Sequence, residues 1–383
     1  MHKTFLAISI FSLSLLLVSS CLRTSNNQNN SDQSSSTPVI NTINTTTAEN
    51  TGKNVYVAGT VMSGIGTYRA MYWKDGVPTL LDYNSSNNTS ANSIFVSGSD
   101  VYVAGVEGLL NGSNTSSKYW KNGNVTSLTS GNTASNATSI VVSGSDVYVA
   151  GYERGYPGFI AKYWKNGIET PLTTGTTDAF AFSIFISGSD IYVAGNERNI
   201  NGMIDSAKYW KNGVGTALTD GTHAAEANSI FVSGSDVYVA GYEKNGSTPN
   251  SGKTVAKYWK NGVATNLTDG THDAIAKSIF VSGSDVYVAG YEVKAGSVNQ
   301  HIAKYWKNGV AIALADGAGG AYSQAHSVFI SDSDIYVAGI SPVITGSGES
   351  ATCWKNSVPT ALTDGLAITV SAMSVFVTTD QTP

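Results

Sequence analysis

The stretch "SIFVSGSDVYVAGYE" occurs twice without change, at Ser229–Glu243 and at Ser278–Glu292. Variants of it recur along the whole chain. Each contains Tyr-Val-Ala-Gly, and successive copies are 44 to 49 residues apart, starting at Tyr56, Tyr102, Tyr148, Tyr192, Tyr238, Tyr287 and Tyr336. All seven tryptophans keep the same spacing. A period of this length indicates a propeller, a solenoid or an array of small units.

One repeat contains four short predicted strands, which we name A to D. In the fifth copy they are "SIFVS", "DVYVAGYE", "AKYWK" and "VATNLT". Ser-Gly-Ser joins A to B, and Asn-Gly joins C to D; Asn-Gly favours a two-residue hairpin because both residues tolerate positive φ. No part of the repeat has helical periodicity, which excludes solenoids of helix pairs. Four antiparallel strands, repeated seven times, predict an all-β, seven-bladed β-propeller.

The two ends of the repeat region are complementary. It begins at Asn54 with strand B of the first repeat, and it ends with a lone strand A at Met373–Val377. We predict that this last strand completes the first blade, which closes the ring and leaves no open sheet edge. An open array of hairpins is the alternative, but it gives no reason for complementary ends.

The phrases "SIFVSGSDVYVAGYE" and "AKYWKNG" resemble the repeat of bacterial seven-bladed β-propellers of the YVAG/YVTG type. That family occurs in many exported and surface proteins, and the resemblance spans residues 54–377. It implies the fold and, because the family is mostly a scaffold, it implies no particular activity. Neither a sialidase-type Ser-x-Asp-x-Gly-x-Thr-Trp box nor a Gly-Gly kelch signature occurs in the sequence.

The amino terminus has the pattern of an export signal. A short basic start precedes an apolar and hydroxyl-rich stretch, Phe5 to Val18, which is too short to span a bilayer comfortably. The next residues, up to Cys21, resemble the lipobox of bacterial lipoproteins. This resemblance implies a signal peptide at 1–20, acylation of Cys21 and a membrane anchor in the bacterial cell envelope, at the outer membrane or cell surface. A plain secretory signal is the alternative.

Composition limits the remaining possibilities. Residues 21–53 contain few large apolar side chains, so we predict a disordered tether, followed by the propeller at 54–383. Acylation of Cys21 would leave Cys353 without a disulfide partner, and we expect a buried thiol and a monomer. A net charge of -5 provides no basic face for nucleic acid.

Five blades end strand B with a glutamate and carry a lysine just before Tyr-Trp on strand C. Blades 1 and 7 lack both residues. Because the glutamate and the lysine are absent together, we predict that they form cross-strand ion pairs rather than a ring of carboxylates for a cation. The predicted pairs are Glu107–Lys118, Glu153–Lys162, Glu197–Lys208, Glu243–Lys257 and Glu292–Lys304.

The connections from B to C differ most between copies, with 13 to 18 residues between the motif glycine and the tryptophan. Loops that differ on a uniform scaffold are typical of a binding face, although relaxed constraint would look similar. Our leading hypothesis is a non-catalytic binding or adhesion module for a glycan or protein ligand. The candidate ligand-binding residues are Tyr152, Arg154, Tyr156, Phe159, Arg198 and Lys244.

Two further functions remain open: a polysaccharide-active hydrolase or lyase, and a structural subunit of an envelope assembly. We assign no catalytic residue, since no blade adds a carboxylate pair with His or Arg that the repeat leaves unexplained. No cofactor or metal is expected. His223 and His272 make only a weak metal pattern, and the "TDG" carboxylates are expected to be turn residues.

Overall fold

The computed structural model describes residues 52–62, 66–82, 87–108, 114–199, 204–297, 300–314, 322–342, 348–363 and 370–379. The predicted signal peptide, Cys21 and nearly all of the predicted tether lie outside the described residues. No helix in the described part of the chain is long and apolar enough to cross a membrane.

The described residues form 28 strands. In chain order they are β1 (Lys53–Met62), β2 (Tyr68–Lys74), β3 (Val77–Leu80), β4 (Asn88–Ser97), β5 (Asp100–Gly108), β6 (Thr115–Lys121), β7 (Asn124–Ser127), β8 (Ser135–Ser143), β9 (Asp146–Arg154), β10 (Phe159–Lys165), β11 (Ile168–Pro171), β12 (Ala179–Ser187), β13 (Asp190–Arg198), β14 (Asp205–Lys211), β15 (Val214–Ala217), β16 (Ala225–Ser233), β17 (Asp236–Lys244), β18 (Thr254–Lys260), β19 (Val263–Asn266), β20 (Ala274–Ser282), β21 (Asp285–Val293), β22 (His301–Lys307), β23 (Val310–Ala313), β24 (Gln324–Ser331), β25 (Asp334–Pro342), β26 (Glu349–Lys355), β27 (Val358–Ala361) and β28 (Val370–Thr379).

These strands form seven four-stranded antiparallel sheets, one for each repeat. Blade 1 has the order β28-β1-β2-β3, so the last strand of the chain completes the first blade. The predicted all-β, seven-bladed propeller and its closure are confirmed. The first strand begins at Lys53, one residue before the predicted boundary. The Lys53 ammonium forms ion pairs of 3.0 and 3.2 Å with Asp332 and Asp334 in blade 7, which adds a contact across the closure.

The A strands form the inner wall of the ring, where each contacts the A strands of both neighbouring blades. A serine hydroxyl on each A strand accepts a hydrogen bond from the backbone of the next blade. The seven bonds measure 3.1 to 3.3 Å and run from Ile94 to Ser374, Ile140 to Ser93, Ile184 to Ser139, Ile230 to Ser183, Ile279 to Ser229, Val328 to Ser278, and Val375 to Ser327. This unbroken circuit explains why each copy keeps the serine.

Apolar packing fills the space between blades. Each interface has one cluster in which the buried tryptophan of one blade packs against the tyrosine and alanines of the preceding blade. At the closure, Trp73 packs with Tyr336, Cys353 and Val375, so this interface resembles the others. The Cys353 thiol is buried, and burial raises its pKa to about 12. The burial predicted for Cys353 therefore fits the structure, and the regular spacing of the tryptophans reflects one packing position in each interface.

The end of the ring that carries the A–B and C–D turns is nearly uniform. The Asn122-Gly123 turn has φ values of 50° and 81°, and the other C–D turns repeat this geometry, with Asp75-Gly76 in blade 1 and Asn356-Ser357 in blade 7. Positive φ at both positions is the requirement of the predicted hairpin turn. Each Asn amide also donates to the aspartate that begins strand B, as Asn122 does to Asp100 at 2.7 Å.

Every A strand contains a β-bulge about four residues from its start. The bulge brings an A-strand carbonyl against the glycine of Tyr-Val-Ala-Gly. A Cβ atom on Gly241 would lie 1.9 Å from the carbonyl oxygen of Glu226, and the other six motif glycines have the same restriction. Only glycine fits this contact, which explains its presence in all seven copies.

Candidate functional site

The five predicted glutamate–lysine contacts are present as ion pairs near the end of the ring that carries the B–C and D–A connections, which we call the loop end. The pairs are diagonal, because Lys162 lies opposite Gly151 in the sheet while Glu153 lies opposite Ile160. The Lys162 ammonium is 2.9 Å from Glu153 and 2.6 Å from Glu169. Burial acts to lower the pKa of Lys162, but hydrogen bonds to both carboxylates raise it overall.

The other four pairs are Lys118–Glu107, Lys208–Glu197, Lys257–Glu243 and Lys304–Glu292. In blade 7 the hydroxyls of Ser341 and Thr352 replace the charges with a 2.7 Å hydrogen bond. In blade 1 the equivalent positions hold Val61 and Met71. They are also diagonal, because Val61 lies opposite Arg69. The loss of both charges together therefore leaves no unpaired ion in blade 7.

Three of the candidate ligand-binding residues pack together in blade 3. The ring of Tyr152 lies 5.6 Å from Phe159 and 4.8 Å from Phe180, in edge-on contacts. Phe159 is only 5% exposed, so it is a packing residue. The Arg154 guanidinium covers the Phe159 ring at 4.8 Å, and Tyr156 is 97% exposed.

The two remaining candidates are already engaged by neighbouring groups. The Arg198 guanidinium is 2.8 Å from Asp178 and 3.0 Å from Asp205. Arg154 approaches the same Asp178 at 3.9 Å, which joins Arg198 to the blade 3 group. The Lys244 ammonium donates to the carbonyl of Asn250 at 2.7 Å, and no contact among the described residues links Lys244 to the other candidates.

Two open grooves lie at the loop end, at equivalent places in blades 2 and 4. The blade 2 groove has a volume of 630 Å³ and is lined by Asn87, Glu107, Gly108, Asn114, Ser116, Lys118, Ser127, Thr129, Ser130 and Gly131. The blade 4 groove has a volume of 420 Å³ and is lined by Thr176, Thr177, Glu197, Arg198, Asn199, Ser206, Lys208, Ala217, Thr219, Asp220 and Gly221. Of the six candidate residues, Arg198 alone lines a groove.

The second residue of strand C distinguishes these two blades from blades 3 and 5. It is Ser116 in blade 2 and Ser206 in blade 4, but Ile160 in blade 3 and Val255 in blade 5. Ile160 packs so closely over Gly175 that a Cβ on that glycine would be 2.7 Å from it. A branched apolar side chain occupies in blades 3 and 5 the space that serine leaves open.

The central channel presents a second set of polar groups. The bulge places one residue of each A strand at the inner wall, and these are Asn92, Thr138, Phe182, Asn228, Lys277, His326 and Met373. Four of them contact the alanine carbonyl of the next A strand, at 2.8 to 2.9 Å: Asn92, Thr138, Asn228 and His326. These side chains satisfy carbonyl groups at the inner edge of the sheets.

Lys277 is the exception. No hydrogen-bond or ion-pair partner of its ammonium lies within the described residues. The charge that acts on it is that of Glu226 in the neighbouring blade. Burial lowers the pKa of Lys277, while the charge of Glu226 opposes that change. Burial likewise raises the pKa of Glu226, against the Lys277 charge and a hydrogen bond from Tyr242. Both shifts favour the uncharged forms, so each charge is held at a cost in free energy.

His326, on strand A of blade 7, extends this cluster. His326 Nδ1 is 2.9 Å from the Ala372 carbonyl and must donate to it, so in the neutral ring Nε2 is an acceptor. Burial lowers the pKa of His326 to about 4, with the Lys277 charge acting in the same direction. Nε2 lies 3.1 Å from Gln324 Oε1, and the nitrogen of the same amide contacts the Tyr322 hydroxyl. The Ala372 carbonyl is therefore the neighbour that fixes the tautomer of the neutral His326 ring.

The sequence reasoning missed Glu226, Lys277, His326 and Tyr242 as a group. It predicted strand A of blade 5 to begin at Ser229, whereas β16 begins at Ala225 and includes Glu226. A signal was available, because the residue just before the serine of strand A differs in nearly every copy of an otherwise uniform segment.

The weak metal pattern does not assemble among the described residues, which contain no group of three or more His, Cys, Asp or Glu side chains suited to a metal ion. His223 contacts Thr222 and the Gly246 carbonyl at 2.9 and 3.0 Å. Asp220 accepts hydrogen bonds from the backbone and hydroxyl of Thr222, which lower its pKa. Asp220 is thus a turn residue, as predicted.

No protein-family model matches the sequence, and neither does any curated protein. Solved structures with a similar fold include the β-propeller domain of the Trilobed protease from Pyrococcus furiosus, at 10% identity and a TM-score of 0.49, covering 81% of this chain and 95% of that chain. The polysaccharide lyase Uly1 has 11% identity and a TM-score of 0.49, covering 80% and 88%. The acylaminoacyl peptidase of Pyrococcus horikoshii has 13% identity and a TM-score of 0.48, covering 82% of this chain and 51% of the peptidase. These likenesses concern the fold alone.

Proposed function

We propose that this protein is a lipid-anchored binding scaffold of the bacterial cell envelope, which binds a glycan or protein ligand at the loop end without catalysis. The observation that carries the proposal is the contrast between the two ends of the ring. The turn end repeats one geometry seven times. The grooves of blades 2 and 4 lie at the other end, where the connections differ in length and content.

The anchor follows from the residues up to Cys21, which resemble a lipobox. The tether predicted at residues 21–53 would hold the ring on the order of 30 Å from the membrane surface. A scaffold held in this way can present its loop end to polymers or proteins outside the membrane.

A binding array tests the proposal. The chain from Gly52 onward, which contains all seven blades, is applied to immobilised glycans and extracellular-matrix proteins. We expect saturable binding that disappears when the B–C loops of blades 2 to 6, which include those beside both grooves, are replaced by the blade 1 loop. The matched control changes the opposite end, by replacing Asn212-Gly213 with the Asp-Gly turn of blade 1, and should bind normally. If the folded loop variant kept every interaction, the proposal would be wrong.

A second candidate is an enzyme that acts on polysaccharide, and the channel cluster favours it. The charge of Lys277 acts on the pKa values of both Glu226 and His326, and groups with shifted pKa values are frequent in active sites. Turnover of a polysaccharide by the native chain, abolished in Lys277→Met while binding persists, would establish catalysis. Absence of turnover from any glycan that the array shows to bind would leave binding as the function.

A further inference from the structure

We infer that blades 2 and 4 contain two equivalent subsites for a neutral, polyhydroxylated ligand, such as a segment of a glycan chain without acidic groups. Each subsite is one of the two grooves described above. The inference rests on the proposed binding function and deepens it, because it names the ligand class and the residues that admit it.

The first argument is geometric equivalence. Both grooves have the same Glu–Lys ion pair, a serine at the second position of strand C, and a glycine after strand D. A Cβ atom on Gly131 would lie 3.4 Å from Ser116, and one on Gly221 would lie 3.1 Å from Ser206. The same place is therefore an open groove in blades 2 and 4, and it is filled in blade 3, which lies between them.

The second argument concerns charge. The charged side chains that line the blade 2 groove are Glu107 and Lys118, which form an ion pair. The blade 4 groove has two acids, Glu197 and Asp220, and two bases, Arg198 and Lys208. The formal charges cancel in each groove, so neither attracts an ionic ligand strongly.

The third argument concerns hydrogen bonding. An ion-paired lysine still has N–H groups to donate, and a paired carboxylate still has lone pairs to accept. A sugar hydroxyl donates and accepts at once, so vicinal hydroxyls suit a donor and an acceptor held side by side. In blade 2 the Ser116 hydroxyl donates to the Thr129 carbonyl and keeps its lone pairs as acceptors, and in blade 4 Ser206 and Thr219 add hydroxyls to the lining. The volumes of 630 and 420 Å³ lie in the range of small-molecule sites.

The other blades supply the test variants. Ser116→Ile and Ser206→Ile introduce the blade 3 residue, which fills the groove without changing the charges. Ser→Val at the same positions introduces the blade 5 residue and serves as a second pair of variants if isoleucine lowers the yield of folded protein. Val255→Ile is the matched control, because the blade 5 position already carries a branched apolar side chain.

Isothermal titration of the full chain uses neutral hexose and pentose oligosaccharides, with uronic-acid and sulfated oligosaccharides of equal length as charged comparators. We expect a neutral oligosaccharide to bind at two equivalent sites. Each single variant should reduce the stoichiometry from two to one, with an unchanged Kd at the remaining site. The double variant should weaken binding about a hundredfold or more, because the polar contacts of both sites are lost. Val255→Ile should bind like the native chain.

Three results would overturn the inference. The double variant could bind a neutral oligosaccharide as the native chain does, a charged comparator could bind these grooves more tightly, or the native chain could bind none of the neutral set. A different experiment tests the proposed function. That proposal is wrong if replacement of the B–C loops leaves every interaction found on the array unchanged.

Discussion

Ser206 and Gly221 face each other across the groove of blade 4, and a Cβ atom on Gly221 would lie 3.1 Å from the Ser206 hydroxyl. In blade 3 the same pair of positions holds Ile160 and Gly175, and a Cβ there would lie 2.7 Å from the isoleucine. Between these two blades, the side chain at this place on strand C therefore accounts for the difference in the space beside the ion pair.

Opening the filled groove should lower stability. Ile160→Ser removes an apolar side chain from its contacts with Gly155 and Gly175. We expect the free energy of unfolding to fall by about 1 to 3 kcal/mol, less than at a fully buried site because Ile160 is partly exposed. Urea denaturation measures the change. A loss below about 0.5 kcal/mol, typical of surface changes, would show that Ile160 does not fill the groove.

Removing the charges of the channel should raise stability at neutral pH. The folded-state pKa of Lys277 is lowered, so the unfolded chain binds the extra proton between that value and 10.5. The contribution of Lys277 to stability therefore increases as pH rises through this window. Glu226 has a raised folded-state pKa, so its favourable contribution is present below 4.5 and is lost as pH rises through the folded value.

The double variant Glu226→Gln, Lys277→Met places at the bulge the methionine that blade 1 has there. We expect it to be more stable than the native chain at pH 7 by about 1 to 4 kcal/mol, with the difference shrinking toward pH 9.5. Urea titrations of both proteins across this range measure the effect. A double variant that is less stable at pH 7 would show that the two charges stabilise the ring.

Removal of the last strand should unfold or greatly weaken the ring. A chain ending at Thr363 lacks β28, which supplies Val370, Val375 and Val377 to the interface between blades 7 and 1. We expect a loss of at least about 5 kcal/mol, since each buried side chain contributes roughly 1.5 to 3 kcal/mol. Lys53→Met is the milder control, because it removes only ion pairs. A truncated chain with nearly native thermal stability would contradict closure by β28.

The Cys353 thiol should be unreactive in the folded protein. Burial raises its pKa to about 12, so almost none is thiolate at pH 8. Iodoacetamide should label Cys353 slowly in the native chain and rapidly in urea, as measured by mass spectrometry. Equal rates would mean that the interface between blades 7 and 1 opens readily.

The proposed anchor predicts a clear change in fractionation. The native protein, expressed with its first 20 residues in a bacterium that processes lipoproteins, should incorporate labelled palmitate and partition into detergent. Cys21→Ser should lose both properties, because the hydroxyl cannot be used in place of the thiol for the lipid attachment. Retention of the label in Cys21→Ser would place acylation elsewhere or reject it.

Sequence predicted the scaffold well because its determinants are local and repeated. Asn122-Gly123 specifies a hairpin through its own φ values, and the lone strand at Met373–Val377 has one place to pair. The bulge could not be predicted in this way. It arises where strand A approaches the motif glycine of strand B, and pairing continues beyond it to Glu226 and Ala225.

The same contrast between local and tertiary determinants applies to the site residues. An unusual loop points to Arg198, which does line a groove. The same reasoning points to Phe159, but that residue is buried against Tyr152 and Phe180, since an aromatic residue at a strand end can turn inward. Sequence reasoning overlooks Ser116 and Ser206 because serine is common in this chain, and its importance depends on which side chain the other blades have there.

The most direct test of binding at the loop end is hydrogen exchange of the protein with and without the ligand identified by the array. The account predicts slower exchange on binding in residues 114–118 and 196–199 and in the segment around Ser206, beside the two grooves. The turn end, including Asn122-Gly123 and Asn212-Gly213, should exchange at the same rate in both states. Protection confined to the turn end would contradict the account.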